Sequence, residues 1–288
     1  MPDMTTPISH VSDTARWVAI YRAMESERPD ALFSDPYARR LAGPRGEEIV
    51  RAMPRGRAMA WPMIVRTAVM DELILRAVAR DGVHTVVNLA AGLDTRPYRL
   101  SLPAGLRWIE VDFADVLTYK EEQLASEKPR CQLERVAVDL TDGERRRELF
   151  RDAVSGGGGG TLVVAEGLLV YLAPAEVATL ADDLQAAGFA WWLIDLASPQ
   201  LLKMLSKTWG RKLEEGNAPF RFAPPESAQF FAPHGWAEAE YRSMWEESVR
   251  LKRTMPMAWL WSLIGKFYSK KKREEFRRFS GIVLLQRT

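Results

Sequence analysis

The chain has 288 residues, 47% of them hydrophobic and 27% charged, with a net charge of +2; this is ordinary globular composition, sized for one large α/β domain or two small ones. The near-balanced charge imposes no field that calls for nucleic acid, and none is expected as a partner. A single cysteine, Cys131, excludes an intramolecular disulfide and most thiolate metal sites, and no apolar run has signal-peptide or membrane-spanning length, so a cytoplasmic location is expected.

Residues 12–80 read as helical and fairly polar. Ser12 can cap a first helix carrying Ala15, Val18, Ala19 and Tyr21, with Arg16 and Arg22 between them. A later stretch places Ile64, Val65, Ala68, Leu73, Leu75 and Val78 at helical spacing, and Gly82 supplies its stop. From residue 84 the pattern changes to short β-branched or aromatic runs: HTVVNLAAGL, LRWIEVDFA, LERVAVDL, TLVVAEGLLV and FAWWLIDLAS. Helix-like stretches alternate with them, the last having Pro174 in its first turn and Gly188 past its end. The glycines 156–160 read as a flexible surface linker. The final SGIVLLQRT reads as a closing strand at the sheet edge, placed late and open to an antiparallel pairing. Strands alternating with helices imply a mostly parallel sheet with helices on both faces.

In such a sheet, ligands bind beyond the carboxyl ends of the strands. Asp94, Asp112, Asp139, Glu166 and Asp195 fall near those ends. The first strand runs into Ala90-Ala91-Gly92, where Gly92 lets backbone approach an adenosyl group closely. A dinucleotide turn would read G-x-G-x-x-G, and that pattern is absent; a pyrophosphate would instead meet Asp94. A cationic sulfonium and its ammonium group suit that carboxylate better, which favours S-adenosyl-L-methionine over NAD. Asp112 stands twenty residues after Gly92, where an acid can accept from both ribose hydroxyls; Glu110 is the rival on the same face. Asp139 and Leu140 are placed for the adenine ring. Glu166 and Gly167 end the fourth strand, with Tyr171 four residues on from Gly167. For each carboxylate, the alternative is an ordinary solvated or backbone-bonded acid.

The ordered set RT…MDE at 66–72, NLAAGLDTRPYRL, IEVDFADVLTYK, VAVDL and AEGLLVYL resembles the leucine carboxyl methyltransferase family. The segment YRAMESERPDALFSDPYARRLAG is similar to the family's N-terminal helical region, and the resemblance spans about residues 14–200. It implies a class I methyltransferase fold, Rossmann-like, with an N-terminal helical cap over 1–80. The remaining α/β domain, 81–288, would carry a lid-like insertion around 200–278. By position, the resemblance implies that Arg66 pairs with the methionine carboxylate of the cofactor, with Gly92 beneath it and Asp112 on the ribose. Asp139 and Leu140 would frame the adenine, Glu166 would sit near the amino end and the transferred methyl, and Arg22 would be a second contact. Where the family turn reads G-A-G, this chain has Ala90, which is acceptable if its φ is negative.

The implied reaction is O-methylation of a small, partly apolar acceptor, at a carboxylate that needs no general base or at a hydroxyl that benefits from one. Among three histidines only His234 is placed to serve as that base; His10 and His84 read as structural or solvated. No metal is expected, for want of ligand-spaced His, Cys and Asp. Residues 250–278 hold ten Lys/Arg against two Glu, beside an apolar half with Trp259, Leu260, Trp261, Leu263 and Ile264. They read as a lid on the acceptor pocket, or as a segment in weak contact with anionic membrane. Two rival functions remain: a catalytically inactive binding or peripheral membrane protein on this fold, and a NAD(P)-dependent dehydrogenase.

Overall fold

The structure is a computed structural model that describes residues 12–53, 56, 59–155, 160–215, 219–255, 257–258, 263 and 268–288, with the side chains of residues 12 and 209–215 excepted. His10, the glycines 156–159, Leu260, Ile264 and the tryptophans Trp259 and Trp261 lie outside the described residues.

Seven strands form one sheet: β1 (Thr85–Leu89), β2 (Arg107–Asp112), β3 (Gln132–Ala137), β4 (Thr161–Ala165), β5 (Trp191–Ala197), β6 (Trp236–Ser243) and β7 (Ser280–Arg287), in the order β3-β2-β1-β4-β5-β7-β6. The first five pair in parallel, with Val87 opposite Ile109 on one side and Val163 on the other, and β7 runs antiparallel to both its neighbours. Every residue of β1 and β4 is buried, as expected of central parallel strands covered on both faces. Strand order reverses between β1 and β4, which opens a crevice at their carboxyl ends. This is the class I methyltransferase arrangement that the motifs imply.

The helices between strands are α4 (Arg96–Arg99), α5 (Ala114–Leu124), α6 (Gly143–Ala153) and α7 (Pro174–Ala187). Asp142 caps α6 by accepting from the N–H groups of Glu144 and Arg145, and Gly188 ends α7 at φ 96°. Leu149, Phe150, Val177, Leu180 and Leu184 from α6 and α7 cover one face of the sheet. On the other face lies α3 (Trp61–Arg80), with Val65, Val69, Leu73 and Ala77 packed on Val86, Trp108, Leu162 and Leu193. Thus α3 belongs to the sheet's flanking layer. The helix that rests on the crevice is α1 (Ser12–Ser26), which supplies Ala15, Trp17, Val18 and Arg22 to it; α2 (Ala38–Ala52) packs on α1 and shares a core with it, Leu93, Tyr98 and Leu124.

Two expectations change beyond β5. Strand β7 is not at the edge: Ile282–Leu285 are buried on both faces, so this continuous apolar run sits between β5 and β6. The edge strand is β6, a segment the sequence analysis assigned to no element. The region around 200–278 is therefore not one lid. It contributes α8 (Pro199–Glu215), the edge strand, α9 (Met244–Arg250) against α3, and α10 (Lys270–Arg277), none of whose residues is buried.

Candidate functional site

A cavity of about 1050 Å³ opens at the carboxyl ends of β1, β2, β4 and β5. That is the upper end of the range for one ligand, room enough for a cofactor and an acceptor together. It brings together Arg22, Arg66, Gly92, Asp94, Asp112, Asp139, Leu140, Glu166 and Tyr171. The exception among the expected residues is His234, which does not line the cavity. Its Nδ1 instead bonds Asp182 of α7 at 2.7 Å, and its ring lies beside Phe230. Closeness to a turn in sequence did not place it near the crevice.

The glycine turn takes up the strain that its sequence hinted at. Ala90 adopts φ 50°, contrary to the condition of a negative φ, so a left-handed position is filled by a residue with a Cβ. Gly92 has φ 48°, and a Cβ on it would stand 3.1 Å from the Cβ of Ala15. Glycine there meets two needs: the turn itself and the close approach of α1 above it. The Gly92 N–H donates to Asp112 Oδ2 at 2.6 Å, and the Phe113 N–H donates to Oδ1 at 2.8 Å. Burial raises the Asp112 pKa above the usual aspartate value, with these two amides partly opposing the rise. Asp112 is thus a strand-end carboxylate held by amides, with no cation paired to it among the described residues, and can accept from further hydroxyls. Glu110 is fully buried between Lys120, at 2.7 Å, and Arg135, at 3.0 Å, and does not reach the cavity. Asp139 accepts from the N–H and hydroxyl of Thr141 through Oδ1, and its Oδ2 has no hydrogen-bond partner among the described residues.

Deeper in the crevice lies a network of charges. Arg66 donates through Nε to Glu166 at 2.9 Å and through Nη1 to Asp195 at 3.1 Å, while its Nη2 makes no hydrogen bond among the described residues. Arg96, 1% exposed, reaches Asp71, Asp94 and Glu166, each at 2.7 Å. Arg99 chelates Asp71, and Asn88 donates to Asp94 at 2.8 Å. Burial alone would raise the Glu166 and Asp94 pKa values, but Arg96 foremost holds both below the usual carboxylate range. Asp94 is therefore already neutralised by the protein's own arginine. Burial raises the Tyr171 phenol, which stays protonated. Asp195 stood out in the sequence only as a strand-end acid. Arg96, Asp71 and Asn88 lie inside the quoted motifs but were given no role there, since what joins them is spatial. Thr67 on α3 also lines the cavity, and its buried hydroxyl has no hydrogen-bond partner among the described residues.

The residues fit S-adenosyl-L-methionine. Among the charged side chains that line the cavity, Asp94, Asp112, Asp139, Glu166 and Asp195 outnumber Arg22, Arg66 and Arg96, an acid excess that suits a ligand whose sulfonium, ammonium and carboxylate leave a net positive charge. Arg66 Nη2 stands free for a carboxylate, and Asp112 for a diol.

Comparison with known proteins agrees with this class of site. The leucine carboxyl methyltransferase family model matches residues 15–185. A Streptomyces coelicolor protein named as an S-adenosyl-L-methionine-dependent methyltransferase is 33% identical over 266 residues, covering 86% of this chain and 90% of its own length. One from Parafrankia with the same kind of name is 41% identical over 186 residues, 60% of this chain and 58% of its own length. In fold, the chain is similar to crystal structures of a Streptomyces avermitilis DUF574 protein (TM-score 0.62, 12% identity, 99% and 100% coverage) and a Thermobifida fusca methyltransferase (0.60, 14%, 99% and 97%). The fold and crevice define a class I methyltransferase that uses S-adenosyl-L-methionine. More narrowly, the chain belongs to the leucine carboxyl methyltransferase family. The dehydrogenase alternative falls with that membership.

Proposed function

We propose that the protein transfers a methyl group to a carboxylate oxygen of a small, partly apolar molecule. The observation that carries this reading is the lack of a base left over for the acceptor once Asp112 and Asp139, the two lining carboxylates without a cation, are assigned to the cofactor. Among the described residues no histidine lines the cavity, Glu166 and Asp94 are pinned by arginines, and the Tyr171 phenol is held protonated. A hydroxyl acceptor benefits from a base near its operating pH, whereas a carboxylate is already ionised.

The bound cofactor supplies a methyl group activated by its sulfonium. The chain's own part is to bind, align and exclude water. Asp112 accepts from the ribose hydroxyls, Leu140 and Asp139 flank the adenine, and Arg66 Nη2 takes the methionine carboxylate. Glu166 and Asp195 face the ammonium end, and the Tyr171 hydroxyl donates to the acceptor. Much of the cavity's remaining lining is apolar, with Leu201, Met204, Leu205, Phe220, Trp245 and Phe276. It suits an acceptor with a hydrocarbon or aromatic body.

Two measurements test this. Calorimetry with S-adenosylhomocysteine should show binding, and silence at high micromolar ligand would remove the cofactor assignments. Tritium-labelled S-adenosyl-L-methionine incubated with a panel of apolar carboxylic acids should give a product that releases labelled methanol in mild base, as methyl esters do. A base-stable methyl product from an alcohol panel would replace the carboxylate with a hydroxyl.

A further inference from the structure

Two apolar side chains that line the cavity are also open to solvent: Met204 on α8, 47% exposed, and Phe276 on α10, 40% exposed. They therefore stand at the cavity's mouth. Phe276 rests on Trp245 and Phe279, ring centroids 5.6 and 6.4 Å away, and Met257 and Leu263, in the chain leading to α10, are exposed as well. The same two helices carry Lys203 and Lys207 on α8, the second one turn from Met204, and Lys270, Lys271, Lys272 and Arg273 on α10, the last two one turn from Phe276, with the Lys272 ammonium over the Tyr268 ring at 4.3 Å. None of these six makes an ion pair among the described residues. The acids nearby are spent elsewhere: Glu274 binds Arg277 and Arg278, and Glu238 binds Arg278, which leaves Glu275 as the unpaired acid of α10.

An apolar rim on helices that carry unpaired cations matches one kind of surface, with anionic headgroups outside and hydrocarbon within. A nucleic acid would satisfy the lysines but offer no apolar phase to Met204 and Phe276. We propose that this face docks on an anionic lipid bilayer, with the cavity mouth against the membrane, so that an amphipathic acid partitioned in the bilayer reaches the site without crossing water. The acceptor part of this inference rests on the carboxylate reading, and the docking itself does not.

The full chain is floated with phosphatidylcholine vesicles, with and without phosphatidylglycerol, at about 0.15 M and about 1 M salt. The expected result is flotation with the phosphatidylglycerol vesicles alone, lost at high salt. Lys270→Glu/Lys271→Glu/Lys272→Glu should weaken partitioning by at least about a hundred-fold, from about five-fold for each lysine near the surface. The same variant should bind S-adenosylhomocysteine as the parent does, which shows that it is folded and that the cofactor assignment stands apart from the docking. Wild-type protein that stays unbound at the lower salt, binds neutral vesicles equally, or floats unchanged after the triple reversal overturns the proposal.

Discussion

Replacing Ala90 with glycine should stabilise the protein, although alanine-to-glycine changes ordinarily do the reverse. Ala90 sits at φ 50°, where a Cβ crowds the backbone at a cost of about 1–2 kcal/mol. Glycine removes that strain and gives back about 0.5–1 kcal/mol through the greater freedom of the unfolded chain. The net gain is about 0.5–1 kcal/mol, a rise in Tm of about 1–3 °C for a chain of this size. The neighbouring residue is the control. Ala91 is 5% exposed, is not at positive φ, and donates its N–H to the Val111 carbonyl at 3.0 Å. Ala91→Gly therefore loses a buried methyl group and gains only unfolded-state entropy, so it should destabilise by about 1–2 kcal/mol. Thermal unfolding followed by circular dichroism, with and without S-adenosylhomocysteine, reads both variants. Because the turn is already in place without ligand, affinity in Ala90→Gly should stay within about two-fold of the parent. If both substitutions lower Tm by similar amounts, the strain assigned to Ala90 does not exist.

Three further outcomes are expected. Asp112→Ala removes a carboxylate that can accept from the ribose, and should weaken S-adenosylhomocysteine binding by about 1.5–3 kcal/mol in calorimetry; unchanged affinity refutes the ribose assignment. Lys120→Ala leaves Glu110 fully buried with only Arg135 beside it, which should cost about 3–5 kcal/mol in urea unfolding; a loss below 1 kcal/mol, on the order of a surface substitution, would mean that the pair is not buried as described. Asp94 and Glu166 are held below their ordinary values despite burial, chiefly by Arg96. Their contribution is complete above about pH 4, the unfolded carboxylate range, and is lost as pH falls through the depressed folded values. Asp94→Asn should therefore flatten the acid limb of the stability curve, and an identical limb in both proteins counts against the network.

What could be read of the fold follows from how its elements are buried. Strands β1 and β4 are covered on both faces, so their sequences, TVVNL and TLVVA, are short, mostly apolar β-branched runs without alternation. Helix α7 carries its own start and stop in Pro174 and Gly188. Strand β6 is wet on one side and bulged between Glu238 and Glu240, so its alternation is interrupted where a pattern would have shown. The inner place of β7 was in its sequence, since Ile282–Leu285 is a continuous run rather than an alternating one, but sequence alone does not say which late strand takes the edge. The place of α3 was hidden for another reason. Arg66, Thr67 and Asp71 are buried on it, and polar residues turned inward to a site make a sheet-facing helix look like a solvated one.

The same distinction runs through the site. Asp112, Asp139 and Glu166 are legible because a strand end is a position that sequence can locate, and a carboxylate there needs no partner to be noticed. Arg96 is not legible, although it is the most connected cation in the crevice, because its partners Asp71, Asp94 and Glu166 come from α3, the glycine turn and the end of β4. Only the folded sheet brings those three together. The consequence bears on how Asp94 acts. Its sequence position suggests a bare anion waiting for the cofactor's cation, whereas in the fold its charge is balanced before any ligand arrives. The excess negative charge that favours the cofactor belongs to the network as a whole. Removing any one acid should then weaken cofactor binding less than its isolated charge implies, because Arg96 and Arg66 would redistribute among those that remain.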